Sequence, residues 1–447
     1  MLMQLCDILR GHGARWGYLK RMAEFHGGAE ALTMRRLAAM LRHAGRTVPF
    51  YRDRIPPSFA EEDAYHILHG LPLVSRRDIN GARESFVSSE PGQHVRETPT
   101  GGTSGVPLWV LQDKDYVDWG AAGRHLFFSW LGWRPGDQIL RVWGDHAALR
   151  RERASLRDRL AARVCRVRTV NGLLLSEENL REYIAVLHRV RAQFLEGYVH
   201  GLHRIALEML KSGIRPPSSL RAVISTAGNL TPDIEDDLRR AFGVVIANRY
   251  GCREAGDIAA SCPEGRLHVN PFTHYVEILD DRGRLAPKGE GRIVLTLLTN
   301  RTMPLIRYDI GDVGDLKERT VCPCGRDWQT FRRVHGREAS LLYRADGTII
   351  DPVLFFPFMR ILFRLLPVER YQVVQEDYHR FTFRAVLKDG ATAEGPETDR
   401  GLDEIRQAVR MELGDDVEIA FDFPEEIPFA PSGKYFYALS KVAPPQS

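Results

Sequence analysis

Apolar positions recur with two different spacings in the middle of the chain. Around residues 177–250, short apolar runs alternate with stretches in which apolar residues return every three or four positions, such as Leu180, Ile184 and Leu187. The runs are typical of buried strands, and the longer spacing predicts amphipathic helices. Strands that alternate with helices predict a largely parallel sheet covered by helices. The strands predicted here are Ala192–Leu195, Ala222–Ser225 and Val244–Ala247.

The pattern changes near residue 265, where alternating strand-like segments dominate and Asp280-Asp-Arg-Gly283 indicates a hairpin turn. Past Gly336-Arg337, helix-like and strand-like segments alternate again. We therefore predict an α/β protein with two domains. Residues 1–335 form a large N-terminal domain of covered mixed or parallel sheets plus a barrel-like subdomain, and residues 336–447 form a small mobile α/β domain. The predicted segments are strands at His268–Asn270, Tyr275–Leu279, Ile293–Leu298, Tyr371–Gln375, Phe381–Leu387 and Val417–Phe423, and helices near 1–50, 113–133, 353–366 and 402–413.

The composition is that of an ordinary globular protein, with 44% hydrophobic and 27% charged residues in a chain of 447. The net charge of +4 is too small to indicate nucleic-acid binding. The basic stretch 141–168 lacks interleaved aromatic residues and fits a solvated helix face, with docking of a phosphate-bearing co-substrate as an alternative.

No apolar run reaches the roughly 18 residues of a membrane span, and the N-terminal residues lack a secretory signal pattern. The six scattered cysteines do not suggest a disulfide framework. We therefore expect a cytoplasmic protein that binds neither membrane nor nucleic acid. The oligomeric state is left open.

The segment Thr98–Pro107 concentrates three glycines and four hydroxyl residues in ten positions. Glycine lets backbone N–H groups approach an anion closely, and hydroxyl groups add donors. The segment can therefore cradle phosphate, although it lacks the spacing and the lysine of a Walker loop. The alternative is an ordinary surface loop.

Four further motifs follow this loop along the chain. They are Tyr250-Gly-Cys-Arg-Glu254, Arg307-Tyr-Asp-Ile-Gly-Asp312, Gly336-Arg337 and Ser432-Gly-Lys434. In this order the five motifs resemble the acyl-adenylate-forming superfamily, and more closely the phenylacetate–CoA ligase family with its relatives in capsule biosynthesis. The resemblance covers nearly the whole chain. It implies that a carboxylate attacks the α-phosphate of ATP, and that a nucleophile, usually the thiol of coenzyme A, then takes the acyl group.

The resemblance also implies a role for each motif residue. Tyr250 and Gly251 would lie against adenine and the α-phosphate, Asp312 would accept hydrogen bonds from the ribose hydroxyls, and Arg337 would also meet the ribose. The β- and γ-phosphates would be held by Thr100, Gly101, Gly102, Thr103, Ser104 and Gly105.

Two residues would act directly in catalysis. Glu254 matches the carboxylate that binds Mg²⁺, and Lys434 matches the mobile lysine that pairs the substrate carboxylate with the α-phosphate. The family commonly has acidic residues after the Gly-Arg pair, whereas this chain has Ala339 and Ser340 close behind it. Whether the domain rotation follows the family's pattern is left open.

The acid is expected to be aromatic or of medium hydrophobic size, as the family suggests. The expected pocket wall consists of Tyr198, Ser225, Ala227 and Gly228. Coenzyme A is the first expected acceptor, and an amine or hydroxyl of a metabolite or saccharide precursor is the alternative. An inactive binding protein that keeps the nucleotide fold is a third hypothesis from another class.

A second group of residues has the chemistry of a metal site. Five residues separate Cys262 from His268, and Cys322-Pro-Cys-Gly325 supplies two more sulfurs. Three thiolates and an imidazole suit tetrahedral zinc, although Cys-x-Cys is tighter than the usual spacing and the four could be unrelated buried residues. Similar positions in this branch of the family resemble a structural zinc site. We therefore predict structural zinc bound by Cys262, His268, Cys322 and Cys324.

Overall fold

The computed structural model describes most of the chain, and the account below is confined to those residues. They are 2–99, 108–143, 163–172, 177–228, 230, 232–280, 283–286, 288–317, 320–336, 342–346, 349–350, 352–388, 391–427 and 438–442.

A twelve-stranded mixed sheet organises the N-terminal part of the molecule. Five of its strands are parallel and lie side by side in the order β7-β6-β5-β3-β4. One face of this half packs Val142, Leu195 and Val223 against the helices that connect the strands. The elements are β3 Ile139–Trp143, β4 Val167–Asn171, β5 Phe194–Tyr198, β6 Ala222–Thr226 and β7 Val245–Cys252, with helices α8 Glu177–Arg189, α9 Val199–Ser212 and α10 Pro232–Phe242.

The other half of the sheet is antiparallel and continues from β7 in the order β8-β9-β14-β13-β12-β10-β11. A barrel-like subdomain was predicted here from the sequence, and the observed strand pairing shows that this prediction was wrong. Because β8 pairs with β7, the antiparallel strands extend the same sheet, and the described strands form no closed barrel. The elements are β8 Gly256–Ser261, β9 Leu267–Val269, β10 His274–Leu279, β11 Leu285–Ala286, β12 Gly289–Leu297, β13 Tyr308–Leu316 and β14 Thr330–Gly336.

Helices from the first part of the chain pack on residues that come much later. The buried side chains Leu37 and Leu41 of α3 join the core of the antiparallel half. The backbone N–H groups of Gly28 and Ala29 at the start of α3 donate to Asp327 Oδ2, at 2.8 and 3.1 Å. The helices are α1 Leu2–Leu9, α2 Ala14–Ala23, α3 Ala29–Thr47, α4 Pro49–Arg52, α5 Ala64–Gly70, α6 Arg76–Gly81 and α7 Lys114–Trp130, and a separate hairpin pairs β1 Arg96–Pro99 with β2 Trp109–Gln112.

A second, smaller sheet lies in the last hundred residues, with strand order β19-β18-β17-β20. Its apolar residues, among them Tyr371, Phe381 and Ile405, form a cluster of their own. The division of the chain into domains near residue 336 stays a prediction. The elements are β15 Leu342–Tyr343, β16 Ile349–Ile350, β17 Val368–Asp377, β18 Arg380–Leu387, β19 Glu418–Asp422 and β20 Ala438–Ser440, with α11 Phe356–Leu365 and α12 Pro396–Leu413.

The predicted α/β class is confirmed. Each strand predicted in the middle of the chain has a counterpart within a few residues, although β7 runs five residues further than expected, to Cys252. Among the described helices, none combines the length and apolarity that crossing a membrane requires.

Candidate active site

The Tyr250–Glu254 motif begins at the end of β7 and continues into the turn that leads to β8. The two strands approach so closely that a Cβ atom at Gly251 would lie 2.3 Å from the carbonyl oxygen of Gly256. Gly256 itself has a φ of +79°, which favours glycine. The backbone of this turn therefore requires both glycines, and the turn projects Glu254 from the sheet.

Glu254 is buried, and two donors hold one of its oxygens. Arg76 Nη2 lies 2.8 Å from Glu254 Oε1, and Tyr308 Oη donates to the same oxygen at 3.2 Å. Burial raises the pKa of Tyr308, and the charge of Glu254 raises it further, so Tyr308 remains a neutral donor. The carboxylate predicted to bind Mg²⁺ is thus fixed by an arginine and a tyrosine.

Arg76 reaches Glu254 because the segment before it is tied to β13. Val74 N donates to Arg307 O, and Asp309 N donates to Val74 O, both at 2.9 Å. Ser75 then caps α6, of which Arg76 is the first residue. The short parallel bridge at Val74 and the capped start of α6 therefore place Arg76 next to Glu254.

Arg307 secures the same segment from the other side. Its backbone φ of +48° is left-handed, which is uncommon for a residue with a side chain. The guanidinium donates to Leu71 O at 2.7 Å and pairs with the buried Glu277, where both Arg307 Nε and Nη2 lie 3.2 Å from Oε1. We attribute the unusual backbone angle to these opposing attachments, which hold it in place.

The motifs around residues 250 and 312 meet in space. Tyr250 Oη donates to Asp312 Oδ2 at 2.8 Å, and Asp312 is 8% exposed on β13. Tyr308 on the same strand contacts Glu254. The structure therefore brings together Tyr250, Glu254 and Asp312, which are expected at the nucleotide.

The glycine-rich loop connects the two strands of a hairpin. Pro99 of β1 pairs with Trp109 of β2, so the two ends of the loop are adjacent. Gln112 of β2 donates through Nε2 to Arg253 O at 3.0 Å, while its Oε1 accepts from Thr98 Oγ1 at 3.0 Å. One buried carboxamide thus joins the base of the loop to the turn that carries Glu254. Thr100–Gly105 themselves, and also Arg337, Ala339, Ser340 and Lys434, lie outside the described residues, so their roles stay predictions.

The residues expected at the acyl pocket lie at the carboxyl ends of β5 and β6. Tyr198 pairs with Thr226 and Gly197 pairs with Ser225. Paired residues share a face of the sheet, so Ser225 lies on the face opposite Tyr198, where its hydroxyl donates to Ala247 O. The ring of Trp143 lies 4.6 Å from the ring of Tyr198. Ala227 and Gly228 follow β6 directly, and Ala227 has a φ of +50°.

An ionic chain crosses the strand ends on the Tyr198 side of the sheet. Arg141 Nε bonds Glu196 at 2.6 Å, Arg249 bonds both Glu196 and Asp257, and Arg124 Nε bonds Asp257 at 3.0 Å. Burial would raise the pKa values of Glu196 and Asp257, but the arginines outweigh it and lower both to about 2. Both carboxylates are therefore ionised at neutral pH.

The four predicted zinc ligands converge. Cys262, His268, Cys322 and Cys324 place their ligand atoms within 4.8 Å of one another. Two matched Cys-Pro-x-Gly turns present the sulfurs, because Gly265 N donates to Cys262 O and Gly325 N donates to Cys322 O. Burial lowers the pKa of His268 to about 4, which keeps its imidazole in the neutral form that binds metals. The donor set and its burial therefore fit a structural zinc ion.

The chain was compared with protein-family models and with solved structures. No protein-family model matches the chain. In fold it is similar to a 2-hydroxyisobutyryl-CoA ligase whose structure contains the acyl-AMP and CoA, with a TM-score of 0.58, 17% identity, and coverage of 92% of this chain and 89% of that one. The fold is that of the adenylate-forming ligases.

Curated relatives give a closer comparison within that class. Phenylacetate-coenzyme A ligase of Thermus thermophilus is 24% identical over 432 residues, which are 90% of this chain and 94% of that protein. Protein CapK of Staphylococcus aureus is 25% identical over 278 residues, 61% of this chain and 59% of CapK. The predicted resemblance to the phenylacetate–CoA ligase family is confirmed at low identity, and the relative from Thermus thermophilus is an enzyme of the predicted kind.

Arg76, Tyr308, Gln112 and the ionic chain were not predicted as functional. Arg76 lies in an unremarkable polar segment, and no spacing links it to Glu254, which comes 178 residues later. Tyr308 stands inside a motif that was recognised, so its position in Arg307–Asp312 was the one available signal.

Proposed function

We propose that this protein activates a carboxylic acid with ATP, forming an acyl-adenylate and releasing pyrophosphate. The observation that carries the proposal is the convergence of Tyr250, Glu254 and Asp312 from two distant motifs, next to the hairpin that holds the glycine-rich loop. Several relatives are phenylacetate–CoA ligases, and this supports the activation of a carboxylic acid.

In the first step a carboxylate oxygen attacks the α-phosphorus, and the bond from that phosphorus to the bridging oxygen of pyrophosphate breaks. The two reactants are both anions, so the protein must align them and offset their repulsion. Mg²⁺ would supply positive charge at the phosphates when bound. Glu254 would hold the metal, the loop at Thr100–Gly105 would bind phosphate oxygens, and Lys434 would pair with the substrate carboxylate and the α-phosphate.

On the nucleotide side, Asp312 would accept the ribose hydroxyls. The hydrogen bond from Tyr250 fixes the Asp312 carboxylate in advance, which lowers the entropy lost when ribose binds. Arg337 would reach the ribose from the chain segment after β14.

We propose coenzyme A as the acceptor in the second step. Its sulfur attacks the acyl carbon, AMP leaves with the electrons of the mixed anhydride bond, and the thiol proton passes to solvent. The support is that several relatives are phenylacetate–CoA ligases, one of them aligned over 90% of this chain. Comparing product masses with coenzyme A and with candidate amines tests this choice.

We also propose that the Cys262, His268, Cys322 and Cys324 cluster holds zinc in a structural role. Four protein ligands complete a tetrahedral shell and leave no position for substrate. The cluster joins β9 and the turn after Cys262 to the segment before β14, so the ion would fasten one part of the antiparallel half of the sheet.

The decisive experiment for the first step is pyrophosphate exchange into ATP, driven by a panel of carboxylic acids. Exchange should depend on acid and Mg²⁺ and should fall by about 10²-fold or more in Glu254→Gln. Glu208→Gln is a matched control, because Glu208 is also buried and paired with an arginine at 3.0 Å, on α9. Acid-independent exchange, or equal losses in the two variants, would contradict the proposal.

A further inference from the structure

The ionic chain contains more positive than negative charge. Its members alternate in the order Arg141, Glu196, Arg249, Asp257 and Arg124, so three cations face two anions. Both anions are ionised, since their pKa values lie near 2. Counting only the side chains in the described ranges, the ionic chain thus carries one more positive charge than its anions neutralise, and both of its ends are arginines.

The ionic chain shares its face of the sheet with the expected pocket wall. Glu196 stands two residues before Tyr198 on β5, and Arg141 pairs with Glu196. Arg249 pairs with Thr226, which pairs with Tyr198. Residues that are laterally paired, or two apart on a strand, point to the same side. The wall at Tyr198 and the ionic chain therefore lie side by side on the same face of the sheet, and Arg124 joins the ionic chain from α7.

The two ends of the ionic chain differ from its centre in exposure. Arg249 at the centre is buried, with 3% exposure, and is held by its bonds to Glu196 and Asp257. The terminal arginines remain accessible, with side-chain exposures of 26% for Arg141 and 41% for Arg124.

We propose that the activated acid carries a second anionic group, and that a dicarboxylic acid is the substrate class. One carboxylate would react at the α-phosphate while the other lies against the ionic chain. This inference rests on the proposed function and replaces the aromatic or medium hydrophobic acid that the resemblance implies. An apolar acyl group would remove water from these charges without replacing its hydrogen bonds, which is unfavourable.

The same residues indicate that the charge of the second substrate group is negative. A substrate ammonium would meet guanidinium groups at both ends of the ionic chain, and like charges repel. A carboxylate binds arginine through charge-assisted hydrogen bonds.

Acids matched in length test the proposal with the wild-type protein. Adipate is compared with hexanoate, and 4-carboxyphenylacetate with phenylacetate, by kcat/KM for pyrophosphate release. Each diacid should be favoured by about 10- to 150-fold, the effect of one hydrogen bond to a charged group. Equal rates, or a preference for the monoacids, overturn the proposal. A preference for 6-aminohexanoate also overturns it and assigns recognition to Glu196 and Asp257.

Two arginines of similar exposure provide the variant test. Arg124→Gln should reduce the diacid preference to within about threefold of unity, chiefly by lowering kcat/KM for the diacid, since the added carboxylate loses its bond to Arg124. Arg141→Gln should act in the same direction from the other end. Arg221→Gln is the control. Arg221 is 39% exposed and bonded to Asp137. It lies just before the amino end of β6, whereas the expected pocket lies at the carboxyl end. A preference that survives both Arg124→Gln and Arg141→Gln overturns the proposal.

Binding measurements separate this inference from the proposed function. If no acid in the panel drives pyrophosphate release, the proposed function fails, and calorimetry of adipate against hexanoate still tests the site. Tighter binding of adipate that is lost in Arg124→Gln supports the anion site, and equal binding of the two acids overturns it.

Discussion

Replacing Arg76 by alanine removes the buried counter-charge of Glu254. The two side chains are only 10% and 3% exposed and are bonded at 2.8 Å. A carboxylate that loses its partner inside a protein remains costly to bury, and such changes typically destabilise by about 3–5 kcal/mol. Tyr308 would still donate to Oε1, so we expect a loss near the lower figure, about 3 kcal/mol.

The same reasoning predicts a specific rescue. A bound Mg²⁺ would restore positive charge beside Glu254, so Mg·ATP should stabilise Arg76→Ala more than it stabilises the wild type. The thermal unfolding midpoint is measured with ATP alone, with Mg²⁺ alone and with both. The double variant Arg76→Met/Glu254→Gln removes both charges. It should regain most of the lost stability, because neutral replacement of a buried pair is often tolerated, and it should lose the additional response to Mg·ATP.

The conservative variant Arg76→Lys separates positioning from folding. It keeps a charge but not the planar fork of arginine. We expect near-normal stability together with a higher Mg²⁺ concentration for half-maximal pyrophosphate exchange, because the carboxylate is held less firmly. A destabilisation of Arg76→Ala below about 1 kcal/mol, or equal Mg·ATP stabilisation of variant and wild type, would refute the reasoning.

Four further outcomes are expected. Asp312→Ala should weaken ATP binding by about tenfold or more, because the ribose hydroxyls lose a charged acceptor, and unchanged affinity by calorimetry would show that the ribose lies elsewhere. Elemental analysis should find about one zinc per chain, with lower zinc content and thermal stability in Cys322→Ser; metal-free protein of normal stability would remove the zinc proposal. Lys434→Ala should slow acyl-AMP formation by about 10²–10³-fold while largely sparing transfer from synthetic acyl-AMP, whereas equal losses would rule out a role confined to adenylation. Because the pKa values of Glu196 and Asp257 are about 2, below their ordinary values of 4.5 and 3.8, their stabilisation is complete above pH 4.5 and is lost as the pH falls toward 2. Acid unfolding followed by near-ultraviolet circular dichroism should show this loss, and constant stability across that range would contradict the pKa assignment.

Local patterns were sufficient to predict three of the five strands of the parallel half and both C-terminal helices. They did not predict β3 and β4, whose arginines were interpreted as part of a solvated helix face. Apolar runs such as Ala222–Ser225 are buried on both faces of the sheet and so stand out in the sequence. The barrel-like subdomain was not predictable in the same way. Whether β8 closes on other strands or continues from β7 depends on pairing partners, and spacing does not encode partners.

In the candidate site, too, residues within short motifs were predicted, and residues whose roles depend on tertiary contacts were not. Tyr250, Glu254 and Asp312 were found because each stands within a short motif, and the structure places them together. Arg76 was missed because its role depends on the bridge of Val74 to β13. The ionic chain was missed because Arg141 was interpreted as part of a basic surface stretch, whereas its partner Glu196 lies on the neighbouring strand.

The attachment of α3 to Asp327 has a consequence for biosynthesis. The residue that accepts the first N–H groups of this helix follows Gly28 by 299 positions. At about 5–20 residues per second, a ribosome needs roughly 15–60 s to bridge that interval. During this time the apolar side chains of Leu37 and Leu41 have no completed sheet to cover them. The nascent N-terminal helices are therefore expected to need shielding by chaperones, and truncated chains that stop before Asp327 should aggregate.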